Sequence, residues 1–206
     1  MPEGYERFIR DPVHGYIGLT KRQTRLMHLS VFQRLRRVSQ LSLADFVYPN
    51  ATHSRFSHSL GVMYLARWCA DYFSSRSMGV SKAELKAFEW AALLHDIGHF
   101  PFSHVFEPAA AEHVEAKGES WRDFHVRWGK RIILDKKFGV AQVLGKELAR
   151  RVCQLIDQRE KSTASLVRES MTGIFSVDRL DYLMRDALHA GVPEYAIIDW
   201  ERVKHF

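Results

Sequence analysis

Cysteine is scarce: Cys69 and Cys153 are the only two in 206 residues, too few for a disulfide framework. Cys69 falls on the apolar stripe of a predicted helix, where a core thiol is its expected role. This usage argues against a disulfide-stapled fold and fits a reducing, cytoplasmic location. Long apolar runs are missing as well. No window reaches the roughly 18 consecutive apolar residues of a membrane span, and the opening Met-Pro-Glu-Gly-Tyr-Glu-Arg does not read as a signal peptide, so no membrane association is expected. The chain also lacks internal repeats, linkers and low-complexity tracts, and a single domain over residues 1–206 is the resulting expectation.

What is present suffices for one sizeable core, with 46% hydrophobic residues and little to suggest disorder. The net charge of +6 favours an anionic partner such as a nucleotide, a nucleic acid or an acidic surface, acting through the field of the whole molecule. The basic residues are dispersed. Their densest groups, Lys21-Arg22 with Arg25 and then Arg34, Arg36 and Arg37, have a solvated helix face as their simpler explanation.

Patterning predicts an all-α fold preceded by a short extended segment. Phe8 to Leu19 mixes β-type runs with Pro and Gly punctuation and reads as a small hairpin. Thr20 can cap a helix containing Leu26 and Leu29, and Phe32, Leu35, Val38 and Leu41 have the spacing of a second. Val62, Leu65, Ala66, Cys69, Ala70 and Phe73 recur at i, i+3, i+4, i+7, i+8 and i+11, a well-supported helix with His58 one turn before it on the same face. Ser81 and Glu84 form a capping box for a helix that runs to His95 and is closed off by Pro101. Weaker signals place interrupted helix over Glu112 to Lys137, then two short helices at Gly145 to Asp157 and Ser162 to Ser170. A strongly patterned helix opens at Val177 and ends at Gly191. The picture is a helical bundle.

Within that bundle, Leu93 to His104 places His95, Asp96, His99 and His104 in an otherwise apolar stretch. Burying such groups costs several kcal/mol, about 2–7 for an unpaired polar group, unless they are paired or metal-bound. Consecutive residues can share one ion in a groove between helices, with His58 and Asp178 supplying ligands from neighbouring helices. The expected set is His58, His95, Asp96 and Asp178. Two imidazoles and two carboxylates suit a divalent metal of the Mn, Fe, Mg or Zn type, with Mn, Fe or Mg favoured. A His-Asp dipeptide alone is weak, since a buried histidine is more often a hydrogen-bonded core residue, and Asp178 competes with Ser176 for a plain helix-capping role. Asp178, Tyr182 and Asp186 nevertheless form a polar stripe at i, i+4 and i+8 that could line a pocket.

The order and spacing of His58, His95-Asp96 and Asp178 resemble the H…HD…D pattern of the HD-domain metal-dependent phosphohydrolases. Further segments resemble the deoxynucleoside triphosphate triphosphohydrolase (dNTPase) branch, which includes the dGTPase-type enzymes and the SAM-and-HD-domain dNTPase: Ile9 to Gly15, Phe32 to Arg36, Tyr48-Pro49, His53 to Gly61, Pro101 to His104 and Val177 to Tyr182. The match covers residues 9 to about 191. It implies an HD-domain bundle that cleaves dNTPs by attack of water on the α-phosphorus, releasing deoxynucleoside and inorganic triphosphate. By the same matching, His99, His104 and His125 are catalytic and phosphate-contacting histidines, and Glu107 orients one of them. General acid catalysis by such a histidine typically contributes 10²–10⁴-fold. Arg55 and Arg179 would meet the phosphates, Tyr182 and Asp186 the sugar and phosphates, and Gln40 the 3′-hydroxyl.

The resemblance also implies a homo-oligomer and a further helical portion in longer members, so the chain is expected to be a short member or part of a longer one. His28 stands where allosterically activated members carry an acidic guanine-reading residue, and guanine-nucleotide activation is not expected. The ligand set alone specifies phosphoester hydrolysis and nothing narrower. Nucleoside monophosphates, cyclic nucleotides and single-stranded nucleic acid are the alternative substrates. A weakly active nucleotide or nucleic-acid sensing module, binding nucleic acid weakly through its basic charge, is the reading from a different class.

Overall fold

Asp11 builds the first turn of the chain by accepting the backbone N–H groups of Val13 and His14 on one carboxylate oxygen, each at 2.9 Å. This turn joins β1 (Arg7–Asp11) to β2 (Gly15–Leu19), an antiparallel pair with Ile9 opposite Ile17. In this computed structural model, the described residues are 4–102, 105, 124–157, 165–192 and 194. Among them the hairpin holds the only named strands, and the rest is helical, as an all-α bundle requires.

Local capping signals fix several helix starts. Thr20 and Gln23 form a capping box on α1 (Lys21–Met27), followed by the short α2 (Ser30–Gln33). Helix α3 (Arg55–Ser75) carries the long apolar stripe, and Ser81 with Glu84 caps α4 (Lys82–Leu94) reciprocally. Helices α5 (Phe124–Leu134), α6 (Val140–Leu144), α7 (Lys146–Ile156) and α8 (Ser165–Thr172) lead to α9 (Val177–Ala190). The last starts on a Ser176 cap and stops at Gly191, whose φ of 74° suits a residue without a Cβ. Val62, Leu65 and Ala66 of α3, Ala91 and Leu94 of α4, and Val152 of α7 belong to one apolar cluster at 0% exposure. Among the described residues, no helix is long and apolar enough to cross a membrane.

One expectation changes. The predicted second helix through Val38 and Leu41 stops at Gln33, and a 3-10 turn covers Arg34–Arg37. Val38 is extended, and the chain here pairs with the segment before α3: Arg55 N–H donates to Val38 O at 2.9 Å and Gln40 N–H to His53 O at 3.0 Å. These non-local bonds replace helical ones and bring Gln40 beside Arg55. Helix α4 ends at Leu94, and i→i+3 bonds tighten the chain from there to His99. Arg34 donates to the carbonyls of Ile97 and His99, satisfying acceptors that the helix end leaves open. The helix expected from Glu112 is seen as α5 from Phe124; positions 112–123 lie outside the described residues.

Candidate metal centre and its cleft

Three side chains from three helices converge at the open end of the bundle. His58, in the first turn of α3, places Nε2 3.0 Å from Asp178 Oδ1 at the start of α9 and 3.2 Å from His95 Nε2 at the end of α4. His95 Nε2 is 3.7 Å from the same Asp178 oxygen. Because Ser176 caps α9, the Asp178 carboxylate is released from that duty. The other imidazole nitrogens are committed elsewhere. His95 Nδ1 meets the Ala92 carbonyl at 2.8 Å, which requires a proton there, and His58 Nδ1 meets Asp181 Oδ2 at 2.8 Å. Both rings therefore turn Nε2 toward Asp178, the atom left to ligate a metal once it carries no proton. The donor set fits a divalent ion, since all three ligand atoms lie within 4.8 Å of one another.

Asp96 stands beside this trio. Its Oδ2 accepts Arg55 Nη1 at 2.6 Å, and its Oδ1 lies 3.3 Å from both His95 Nε2 and His99 Nε2. Burial alone would raise its pKa, but the fields of His95, Arg55 and His99 hold it well below the usual carboxylate range. Burial likewise opposes charging of His58. Hydrogen bonds to Asp178 and Asp181, with the fields of Asp181 and Asp96, prevail and raise its imidazolium to about 10. Asp178 is lowered, with its own burial overcome by the His58 hydrogen bond and the fields of His95 and His58. The site thus concentrates carboxylate charge around His58, a demand for a cation that a divalent metal can meet in place of a proton.

The centre lies in the wall of a cleft of about 290 Å³. Gln40, Arg55, His99, His125 and Tyr182 also line it, with an apolar side of Val126, Leu155, Ile156 and Met171. His99 and His125 stack with ring centroids 4.1 Å apart. Burial drives His99 down to about 4 against the pull of Asp96, so its ring is neutral at neutral pH and offers a hydrogen bond rather than a ready proton. The Gln40 Oε1 atom is buried with no hydrogen-bond partner among the described residues, an orphan acceptor in the cleft wall.

Other expected residues fall elsewhere. Arg179 is exposed and outside the lining, because one residue along a helix from Asp178 turns the side chain about 100° away. Asp186 is also outside the lining and accepts His53 Nε2 at 2.7 Å. His104 and Glu107 lie outside the described residues.

A buried network behind His58 was not assigned from the sequence. Asp181 and Arg185 are both 0% exposed; they pair through Nε to Oδ2 at 2.8 Å and Nη2 to Oδ1 at 2.9 Å. Arg185 Nη1 reaches Asp11 at 2.9 Å, and His14 Nε2 reaches Asp181 Oδ1 at 2.6 Å. Burial would raise the Asp181 pKa, but hydrogen bonds from His14, His58 and Arg185 hold it far below the ordinary carboxylate value. The available signal was the i, i+4 spacing of Asp181 and Arg185 on a helix that already carried Asp178.

Comparison with known proteins agrees with this geometry. Residues 55–184, well over half of the chain, match the HD domain. The chain is 34% identical over 197 residues to the uncharacterised protein MJ1154 of Methanocaldococcus jannaschii, covering 96% of this chain and 37% of that protein. It is 31% identical over 211 residues to deoxynucleoside triphosphate triphosphohydrolase SAMHD1 of Gallus gallus, covering 90% and 34% respectively. A crystal structure of a phosphohydrolase from Bacteroides thetaiotaomicron superposes with a TM-score of 0.74 at 32% identity, over 91% of this chain and 43% of that one. The chain therefore spans less than half the length of each of these three proteins.

Proposed function

The chain belongs to the HD-domain family of phosphohydrolases, and from that premise we propose that it hydrolyses deoxynucleoside triphosphates to deoxynucleoside and inorganic triphosphate. The observation that carries the nucleotide reading is the cleft itself, which sets a buried acceptor on Gln40 in the same wall as the His58, His95 and Asp178 trio. A sugar 3′-hydroxyl, present in ribo- and deoxyribonucleotides alike, is a donor suited to that acceptor, and a site with an unpaired buried group discriminates against molecules that cannot satisfy it; the choice of the deoxy sugar rests on the resemblance to the dNTPase branch. Similarity to a SAMHD1 protein supports the same class.

A divalent ion held by His58, His95 and Asp178, with Asp96 beside them, would lower the pKa of water toward ~7 and polarise a phosphoryl oxygen. The chain's own groups do the rest. Arg55, anchored by Asp96, presents its guanidinium beside the ligands and stabilises charge gathering on the phosphates. His99, neutral and stacked under His125, orients a phosphate oxygen by hydrogen bonding. The proton for the leaving deoxynucleoside oxygen comes from His125 or from His104, with Glu107 as the orienting carboxylate. Tyr182 and the apolar side of the cleft exclude water from the sugar.

The test is incubation of metal-loaded protein with each dNTP and chromatographic resolution of the products. Deoxynucleoside with inorganic triphosphate is the expected outcome. Monophosphates released from other phosphoesters, or tight nucleotide binding without products, would replace this reading with a different hydrolase or a sensing module.

A further inference from the structure

We infer that Asp181 is a positioning residue of the metal centre, and that the turn between the two N-terminal strands belongs structurally to that centre through Asp11 and His14. This rests on the metal assignment above and not on the choice of dNTPs as substrate.

Asp181 is fully buried and its two oxygens are shared among three partners. Oδ2 lies 2.8 Å from His58 Nδ1 and accepts Arg185 Nε at 2.8 Å, while Oδ1 lies 2.6 Å from His14 Nε2 and accepts Arg185 Nη2 at 2.9 Å. A carboxylate so held has a fixed plane, so the His58 ring it faces has a fixed orientation. A proton on His58 Nδ1 leaves Nε2 as the ligating atom, and the carboxylate behind it strengthens the imidazole as a donor. The support continues one step further out. Arg185 is gripped by Asp11 at 2.9 and 3.3 Å, and the Asp11 carboxylate also closes the turn that carries His14. His14 is steadied by stacking on Tyr64 of α3, with centroids 4.9 Å apart. Residues more than 40 positions before the first ligand therefore hold the carboxylate that aims it. The two buried carboxylates and one guanidinium leave one negative charge facing His58, which a bound cation offsets.

The experiment is a Zn²⁺ and Mn²⁺ titration against a chelating dye, with circular dichroism to establish folding. It compares the unaltered chain with Asp181→Asn, His14→Phe and a core control, Leu144→Ala, which perturbs a buried residue of α6 away from the centre. Asp181→Asn is expected to lose ~10–100-fold in metal affinity, the usual effect of removing the partner of a ligating histidine. His14→Phe keeps an aromatic ring for Tyr64 but removes the contact to Asp181, and should show a smaller loss; Leu144→Ala should show none. Undiminished affinity in a folded Asp181→Asn protein overturns the inference, as does an equal loss in Leu144→Ala. If Asp181→Asn does not fold, His14→Phe decides: reduced affinity supports the inference and unchanged affinity overturns it. Metal uptake without turnover of any dNTP leaves this inference standing and removes only the substrate reading, whereas no uptake by the unaltered chain removes the metal assignment and this inference together.

Discussion

Gly61 of α3 and Asp181 of α9 are so close that a Cβ on the glycine would stand 1.8 Å from Asp181 Oδ1, and 2.4 Å from Arg185 Nη2. Real Cβ atoms do not approach so closely, so a side chain at position 61 must displace the buried Asp181–Arg185 pair or part the helices carrying His58 and Asp178. Gly61→Ala should force them apart, costing roughly 1–3 kcal/mol as overpacking does, and should weaken metal binding because two ligands move with the helices. Thermal unfolding with a parallel metal titration checks both effects; an unchanged melting point would show that the contact is not enforced.

Asp178→Asn should abolish metal-dependent turnover while leaving the helical circular dichroism intact. Its carboxylate is 38% exposed and partners His58 directly, so little of the core depends on it. Asp96→Ala should be equally inactive but less stable. It removes the 2.6 Å partner of Arg55 Nη1, a side chain only 5% exposed, and breaking a buried pair on one side costs about 3–5 kcal/mol. Product chromatography and urea unfolding separate the two variants.

Arg55→Ala should show two deficits. Loss of a charged hydrogen bond to a phosphate weakens substrate binding by ~1.5–3 kcal/mol, read as a higher KM for the triphosphate. The second deficit is stability, since Asp96 then lacks its 2.6 Å partner. Arg55→Lys should recover part of the stability and less of the binding, because a point charge does not reproduce the guanidinium geometry. Equal recovery of both would argue against a phosphate contact.

Burial pushes the thiols of Cys69 and Cys153 up to about 12. A free thiol has a pKa of about 8.5. Native protein should therefore resist iodoacetamide, with no rise in labelling between pH 7 and 9, and both residues should react after unfolding. The same shift gives a sign for stability. The neutral buried thiols favour the folded state fully below the unfolded value of about 8.5, and that contribution is lost as pH rises from there toward 12. A falling melting point above pH 9 checks this; rapid native labelling would contradict it.

The features legible in the sequence were those written locally. The α3 stripe, the Ser81–Glu84 capping box and the Gly191 stop each lie within a few residues of what they control, and the structure has them. The end of α2 was not legible, because the pairing of 38–40 with 53–55 is decided across a loop. At the site, His58, His95 and Asp178 were singled out by pattern and do converge, whereas Arg179, adjacent to Asp178 in sequence, is exposed and stands outside the cleft lining. The Asp11, His14, Asp181 and Arg185 network was invisible for the same reason the loop was: its members come from opposite ends of the chain and acquire meaning only when packed.

Gly98 repeats the Gly61 arrangement on the other side of the cleft, and it separates binding from catalysis. A Cβ there would meet the His125 carbonyl at 1.9 Å and Gly129 N at 2.5 Å, so Gly98→Ala must push α5 away from the turn that carries His99. The stack of His99 on His125 would open, while His58, His95 and Asp178 are held by α3, α4 and α9 rather than by α5. Gly98→Ala should therefore bind metal nearly as well as the unaltered chain and hydrolyse dNTPs far more slowly, with the loss in kcat. Parallel dye titration and steady-state kinetics test this. A joint loss of metal affinity and activity would mean that the two histidine rings and the metal centre form one mechanical unit; full activity would mean that the stacked pair takes no part in the reaction.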